Sequence, residues 1–216
     1  MPGLRLQGAD GTRIEYSARV FPFLTHEQSR PRYADQAEFA ITEIHFRTSI
    51  GTVLDAPYHR YPAGRDISEL RLEEVILPGV ALDLRGRRPH EAVGPAALPP
   101  DLDLTGKAVL LNFGWDVHWG ENAYHAFPFL AADAIDALID RGVALVGVDT
   151  PNVDDTRDPR RPAHTRLLRQ EIPIVENLTH LDALLGRHFR FFAVPWRAKG
   201  VAALPVRAFA ELDGWL

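Results

Sequence analysis

Two uninterrupted apolar runs, Lys107 to Phe113 (KAVLLNF) and Val143 to Val148 (VALVGV), leave this chain few architectures. A strand with apolar side chains on both faces must be covered on both, which points to a sheet inside the molecule. Between the runs, Leu130, Ala134, Ile135, Leu138 and Ile139 recur at helical spacing, and Gly142 supplies a stop. Further strands are expected over Val80 to Leu84, Ile172 to Glu176, Phe189 to Val194 and Val206 to Leu212. Residues Glu38 to Thr48 alternate as a half-buried strand does, and the parity of Phe39, Ile41, Ile44 and Phe46 slips near Glu43, where a bulge would fit. Gly51 to Arg65 has loop composition. Asp66-Ile67-Ser68-Glu69 resembles a capping box opening a short helix toward Val75, with Pro78-Gly79 as its end. Strands and helices mix without a strict βαβ rhythm. The class is α/β: one domain over residues 1–216, with a mixed, curved, barrel-like sheet flanked by helices.

Composition narrows the chemistry. Of 216 residues, 46 % are apolar and 25 % charged, as in ordinary globular chains. The net charge of −5 gives no reason to expect nucleic acid or an anionic membrane as partner. Cysteine is absent, which removes disulfides, thiolate nucleophiles and thiolate metal sites. No run approaches the roughly 18 apolar residues of a membrane span, and Met1 to Gln7 lacks a leader's apolar segment. The expectation is a soluble, cytoplasmic protein that works on a small molecule with His, carboxylates, hydroxyls or a metal.

Two stretches concentrate such groups. In Ser49-Ile50-Gly51-Thr52-Val53-Leu54-Asp55-Ala56-Pro57-Tyr58-His59, Asp55 and His59 share a face if the segment is extended. They would then lie roughly 13 Å apart, so one small site requires the loop to curve. Spacing alone is equally met by Asp55 capping a turn and His59 as a partly buried polar residue. In the second stretch, a two-turn helix runs away from His164 and the strand Ile172 to Glu176 can fold back toward it. Glu176 ends an apolar strand, where a charge needs a partner. A cation would serve, and so would a salt bridge to Arg166 or Arg197.

These stretches resemble the cyclase family of metal-dependent hydrolases, which includes bacterial kynurenine formamidases and isatin hydrolases. Residues 49–59 (SIGTVLDAPYH) follow the family signature H-x-G-T-H-x-D-x-P-x-H. The resemblance continues at Phe113-Gly114-Trp115, at Val146-Gly147-Val148-Asp149-Thr150-Pro151, at His164 and Glu176-Asn177-Leu178, and ends at Pro205-Val206-Arg207. It implies a swivelling β/β/α fold like that of kynurenine formamidase and a homodimer or larger oligomer. The family's amino-terminal strand is not evident here. The resemblance also implies a metal site at Asp55, His164 and Glu176, with His59 in proton transfer. A second family site loses both imidazoles, because Ser49 and Val53 stand in their places; a Ser hydroxyl is a poor zinc ligand and Val cannot ligate. One divalent ion, zinc or manganese, at the retained half is therefore the expectation, with no metal at all as its rival.

The function implied is hydrolysis of an amide, formamide or lactone C–N or C–O bond in a small substrate, aromatic or not. The alternative is a metal-free relative, either a lyase or cyclase using His59 or a non-catalytic binding protein. Ser49, Val53, Trp115, Trp119 and Tyr124 are the candidates for substrate contact, although core packing explains Trp115 equally well. His45, four residues before Ser49, is a surface or cross-strand residue unless a bulge aims it inward.

Overall fold

The run 108–112 lies among the central strands of the main sheet. In this computed structural model, which describes residues 4–7 and 13–212, Ala108–Asn112 is a strand buried along its whole length. The described residues fall into two compact units, 1–50 and 51–216.

In the first unit, β1 (Leu4–Gln7) pairs antiparallel with β2 (Arg13–Tyr16), and β3 (Arg19–Leu24) with β4 (Ile41–His45). A one-turn helix, α1 (His26–Ser29), follows a capping box at Thr25 and Gln28. An amino-terminal strand, not evident from the sequence, is present as β1. The half-buried reading of Glu38 to Thr48 is corrected: every residue of β4 is exposed. The bulge falls on the partner strand instead, between Pro22 and Leu24, so the parity slip is absorbed opposite Ile41 and Thr42. His45 is an exposed strand residue whose Nε2 lies 2.5 Å from Glu43 Oε1.

The second unit holds a mixed eight-stranded sheet. Its strands are β5 (Val53–Asp55), β6 (Ile76–Asp83), β8 (Ala108–Asn112), β10 (Leu145–Val148), β11 (Ile174–Glu176), β12 (Phe189–Phe192), β13 (Ala203–Pro205) and β14 (Phe209–Leu212). A separate two-stranded ribbon pairs β7 (Ala92–Val93) with β9 (Phe129–Leu130). The order across the main sheet is β13-β5-β11-β10-β8-β6-β12-β14. The four central strands β11, β10, β8 and β6 run parallel, and antiparallel pairs extend the sheet on both sides. Helix α2 (Ala132–Asp140) links β8 to β10, and α3 (Pro162–Arg169) links β10 to β11. The fold is a curved α/β half-barrel, as the mixed pattern of strands and helices and the family resemblance led one to expect.

The expected break at Pro78-Gly79 is also corrected, since both residues lie inside β6. Pairing with β8 begins only at Gly79, so Pro78 precedes that ladder, where a missing N–H is tolerated. Gly79 lies against the Phe189 ring, where an added Cβ would be 2.1 Å from Cε2. The capping box at Asp66 and Glu69 is present, but it opens a single 3-10 turn (Ile67–Glu69) followed by a second (Leu72–Glu74). Among the described residues no helix is long and apolar enough to cross a membrane.

Strand pairing sorts the side chains of β5 and β11. Val53 lies opposite Glu176, Leu54 opposite Val175, and Asp55 opposite Ile174. Because alternate residues face opposite sides, Val53, Asp55, Ile174 and Glu176 share one face. Leu54 and Val175 face the other, where they join Leu77, Leu110, Phe191 and Leu204 in the apolar core.

Candidate active site

The sheet face bearing Asp55 and Glu176 meets His164 of α3. His164 Nε2 lies 3.5 Å from Asp55 Oδ2 and 3.5 Å from Glu176 Oε1. All three residues are buried, at 2 %, 6 % and 3 % exposure for Asp55, Glu176 and His164. His59 completes the group. Pro57–His59 is a 3-10 turn whose ring-restricted start follows extended Ala56, and this turn supplies the curvature that an extended segment lacks. The His59 and His164 ring centroids are 5.6 Å apart. One ligand atom each from Asp55, His59 and His164 lie within 4.8 Å of one another, with His59 exposed and the other two buried.

The charges here are tightly opposed. Asp55 Oδ2 is buried without a hydrogen-bond partner. Burial pushes the Glu176 carboxyl above its usual range, the His164 charge opposes that shift, and Asp55 adds to it. Burial alone would lower the His164 pKa. The hydrogen bond to Asp154 and the attraction of Asp55, 3.5 Å away, and of Glu176 overcome it and raise the imidazole to about 10. The Arg candidates for Glu176 are engaged elsewhere: Arg166 Nη1 lies 2.6 Å from Asp136 Oδ2, and Arg197 Nε donates to the Ser68 carbonyl at 3.2 Å.

The residues around this group form a second ring of contacts that spacing did not reveal. Asp154 Oδ2 is 2.7 Å from His164 Nδ1, and Val153 N–H donates to Glu176 Oε1 at 3.0 Å. Asn177, at φ 57°, links four segments. Its N–H donates to the Thr150 carbonyl and its Nδ2 to the Gly51 carbonyl, while its Oδ1 accepts from Tyr124 Oη and its carbonyl from Thr52 Oγ1. Asp149 accepts the backbone N–H groups of Phe113, Gly114 and Trp115 at 3.0, 2.7 and 3.2 Å. Burial pushes its carboxyl up to about 6 even against these donors. The family motifs at 113–115 and 146–151 are therefore the two sides of one loop anchor.

Of the substrate-contact candidates, Trp115 is 7 % exposed and its indole N–H donates to the Tyr124 carbonyl at 3.2 Å. Tyr124 is wholly buried, and burial together with nearby carboxylates raises its phenol above the usual range. Both are enclosed packing residues, since their polar groups are already committed internally. Trp119 is half-buried, with its ring centroid 5.2 Å from that of Tyr124. Val53 is 3 % exposed and Ser49 is exposed.

Comparison with known proteins identifies the family. Residues 14–155 match the family model described as "Putative cyclase". The chain is 30 % identical over 177 residues to a kynurenine formamidase of Salinibacter ruber, covering 82 % of each chain. A kynurenine formamidase of Bacillus mycoides is 30 % identical over 159 residues, 73 % of each. Among solved structures, isatin hydrolase A from Ralstonia solanacearum superposes with a TM-score of 0.79 at 21 % identity, covering 97 % of this chain and 86 % of that one. A protein described as a potential metal-dependent hydrolase with cyclase activity gives 0.69 at 22 % identity, covering 89 % and 86 %. On the extent of the family match and the identity to these relatives, the chain belongs to the cyclase family.

Proposed function

We propose that this protein is a hydrolase that cleaves a C–N or C–O bond of an amide, formamide or lactone in a small aromatic substrate. In this reading Asp55, His164 and Glu176 hold one divalent cation, zinc or manganese, and His59 moves a proton. The observation that carries it is the buried, unbonded Asp55 Oδ2 beside two imidazoles, with a second carboxylate against His164. A carboxylate buried without a donor is costly, and a cation would remove that cost. The donor set of oxygen and imidazole nitrogen suits zinc or manganese. A second ion does not fit, because Val53 opposite Glu176 has no donor atom.

When bound, the ion supplies Lewis acidity, polarising a carbonyl and lowering the pKa of water. The rest falls to the chain. Asp55, His164 and Glu176 fix the reacting centre on rigid strands and a helix, away from bulk water. His59, exposed beside the buried pair Asp55 and His164, would take a proton from water and return it to the leaving group. Trp119 offers a flat apolar surface to an aromatic ring. The names of the relatives, kynurenine formamidase and isatin hydrolase, support an open formamide or a cyclic amide carried on such a ring.

The test is hydrolysis of formylkynurenine, isatin and simple lactones by protein loaded with Zn²⁺ or Mn²⁺ and by chelator-treated protein. Turnover of one substrate, abolished by chelation and restored by metal, is expected. Turnover that survives chelation but fails in His59→Ala would replace this reading with a metal-free lyase or cyclase. No turnover and no metal would leave a binding protein.

We also read the chain as a cytoplasmic homodimer. Support for the dimer comes from the β3–β4 hairpin, whose Val20, Phe23, Ile41 and Ile44 are 64, 68, 50 and 54 % exposed, with Val20 paired opposite Ile44, an apolar ribbon that a second copy would cover. Light scattering should give a dimer, and a Phe23→Ser, Ile44→Ser double variant a monomer.

A further inference from the structure

We propose that the dipeptide Val153-Asp154 positions the site, orienting Glu176 through a backbone N–H and His164 through a carboxylate. The inference rests on the metal reading above and concerns two residues outside the ligand set. Val153 N–H donates to Glu176 Oε1 at 3.0 Å. The next residue turns its carboxylate to the imidazole, with Asp154 Oδ2 at 2.7 Å from His164 Nδ1. The same carboxylate accepts the backbone N–H groups of Ala163 at 2.6 Å and His164 at 3.0 Å, so it also caps the first turn of α3. Val153 is 1 % exposed and Asp154 fully buried, which leaves water little part in these bonds.

The consequence is a choice of tautomer. With Nδ1–H committed to Asp154, His164 presents Nε2 toward Asp55 and Glu176, each 3.5 Å away. Holding Nδ1–H in that bond leaves Nε2 as the nitrogen that gives up its proton when a cation binds. The dipeptide is itself braced. Asp154 N–H donates to Asn152 Oδ1 at 3.0 Å, Arg161 Nη2 donates to the same oxygen at 2.7 Å, and Thr150 Oγ1 to the Asn152 carbonyl at 2.8 Å. Arg161 itself adopts φ 47°, a left-handed conformation unusual for a side-chain-bearing residue. Burial works against the Asp154 charge, but the bonds from His164 and the α3 backbone hold its carboxyl below the usual range.

The experiment is Asp154→Asn with two readouts besides activity. One is Zn²⁺ affinity by competition with a chromophoric chelator. The other is the His164 ring Nδ1–H, observed by ¹⁵N NMR in metal-free and Zn²⁺-loaded protein and assigned with His164→Gln. Wild type should show a slowly exchanging Nδ1–H in both forms. Asp154→Asn, whose amide must turn an NH2 donor toward either the ring or the α3 backbone N–H groups, should lose that signal and bind Zn²⁺ roughly 10- to 100-fold more weakly. Zn²⁺ affinity within twofold of wild type, or an unchanged Nδ1–H, would overturn the proposal. If wild type binds no Zn²⁺ yet its Nδ1–H is present and vanishes in the variant, the positioning role stands and the metal reading falls. Should Asp154→Asn fail to fold, Asp154→Glu, which keeps an acceptor but displaces it by one methylene, is judged by the same two readouts.

Discussion

Replacing Glu176 by Gln keeps the shape and the acceptor for Val153 N–H while removing one charge. Its effect should reverse sign between the metal-free and the loaded protein. In the metal-free chain, burial raises the Glu176 pKa above its usual 4.5. A carboxyl with a raised folded-state pKa contributes stability that is complete below the unfolded value and lost as pH rises through the folded one. The Gln variant, which mimics the protonated acid, should therefore match wild type in mild acid and exceed it under alkaline conditions. With metal the order inverts. At a metal concentration 100 times the wild-type Kd, binding stabilises the fold by about 2.7 kcal/mol, and a 100-fold weaker variant keeps only about 0.4 kcal/mol. For a chain of this length that difference lowers Tm by roughly 5–9 °C. Thermal scans at two pH values, with chelator and with Zn²⁺, provide the measurement. Equal metal-induced shifts in the two proteins would show that Glu176 is no ligand. An alkaline penalty in the metal-free variant would show that its charge is not the strained one.

His59→Ala should lower kcat roughly 10²- to 10⁴-fold with Zn²⁺ content intact; loss of the metal as well, by elemental measurement, would make His59 a ligand. Gly79→Ala should cost about 2–3 kcal/mol in urea unfolding, because its Cβ would enter the Phe189 ring and neither strand can retreat without breaking its ladder. Glu74 is held down to about 2, chiefly by the Arg65 guanidinium, which reaches it at 2.7 and 3.1 Å. Its contribution is thus present above pH 4.5 and lost as pH falls toward 2. Glu74→Gln should cost about 1 kcal/mol at neutral pH, discounted for solvent screening, with the deficit fading in acid. A deficit that persists at pH 2 would mean the loss is packing and not charge.

The central sheet was legible because Ala108 to Leu111 and Val143 to Val148 are unbroken apolar runs, the pattern of strands covered on both faces. Helix α2 was legible from its stripe and its Gly142 stop. The β3–β4 hairpin misled because its apolar alternation normally records a covered face, and within this chain both faces stay exposed. Pro78-Gly79 misled because punctuation residues are read locally. Here a strand edge beyond the ladder and a neighbouring ring decided the outcome. At the site, Asp55, His59, His164 and Glu176 could be named from a motif, and their convergence needed only one 3-10 turn and one strand folding back. Asp154 could not, and Asn177, although part of the Glu176-Asn177-Leu178 motif, gave no sign of its role. Their importance lies in contacts with residues up to 126 positions away, for Asn177 with Gly51, and in one of many Asp residues in an Asp/Arg-rich loop.

The alternation in β5 and β11 ties folding to chemistry. Leu54 and Val175 are driven into the apolar interior by the same three-residue segments that carry Asp55 and Glu176 on their reverse side. A shift of either strand by a single residue would press a carboxylate into hydrocarbon and turn a leucine or valine toward the imidazole. Misregistered chains are thus penalised twice, by an unsolvated charge and by forfeited burial, so any population that reaches this sheet arrives with Asp55 and Glu176 already facing His164.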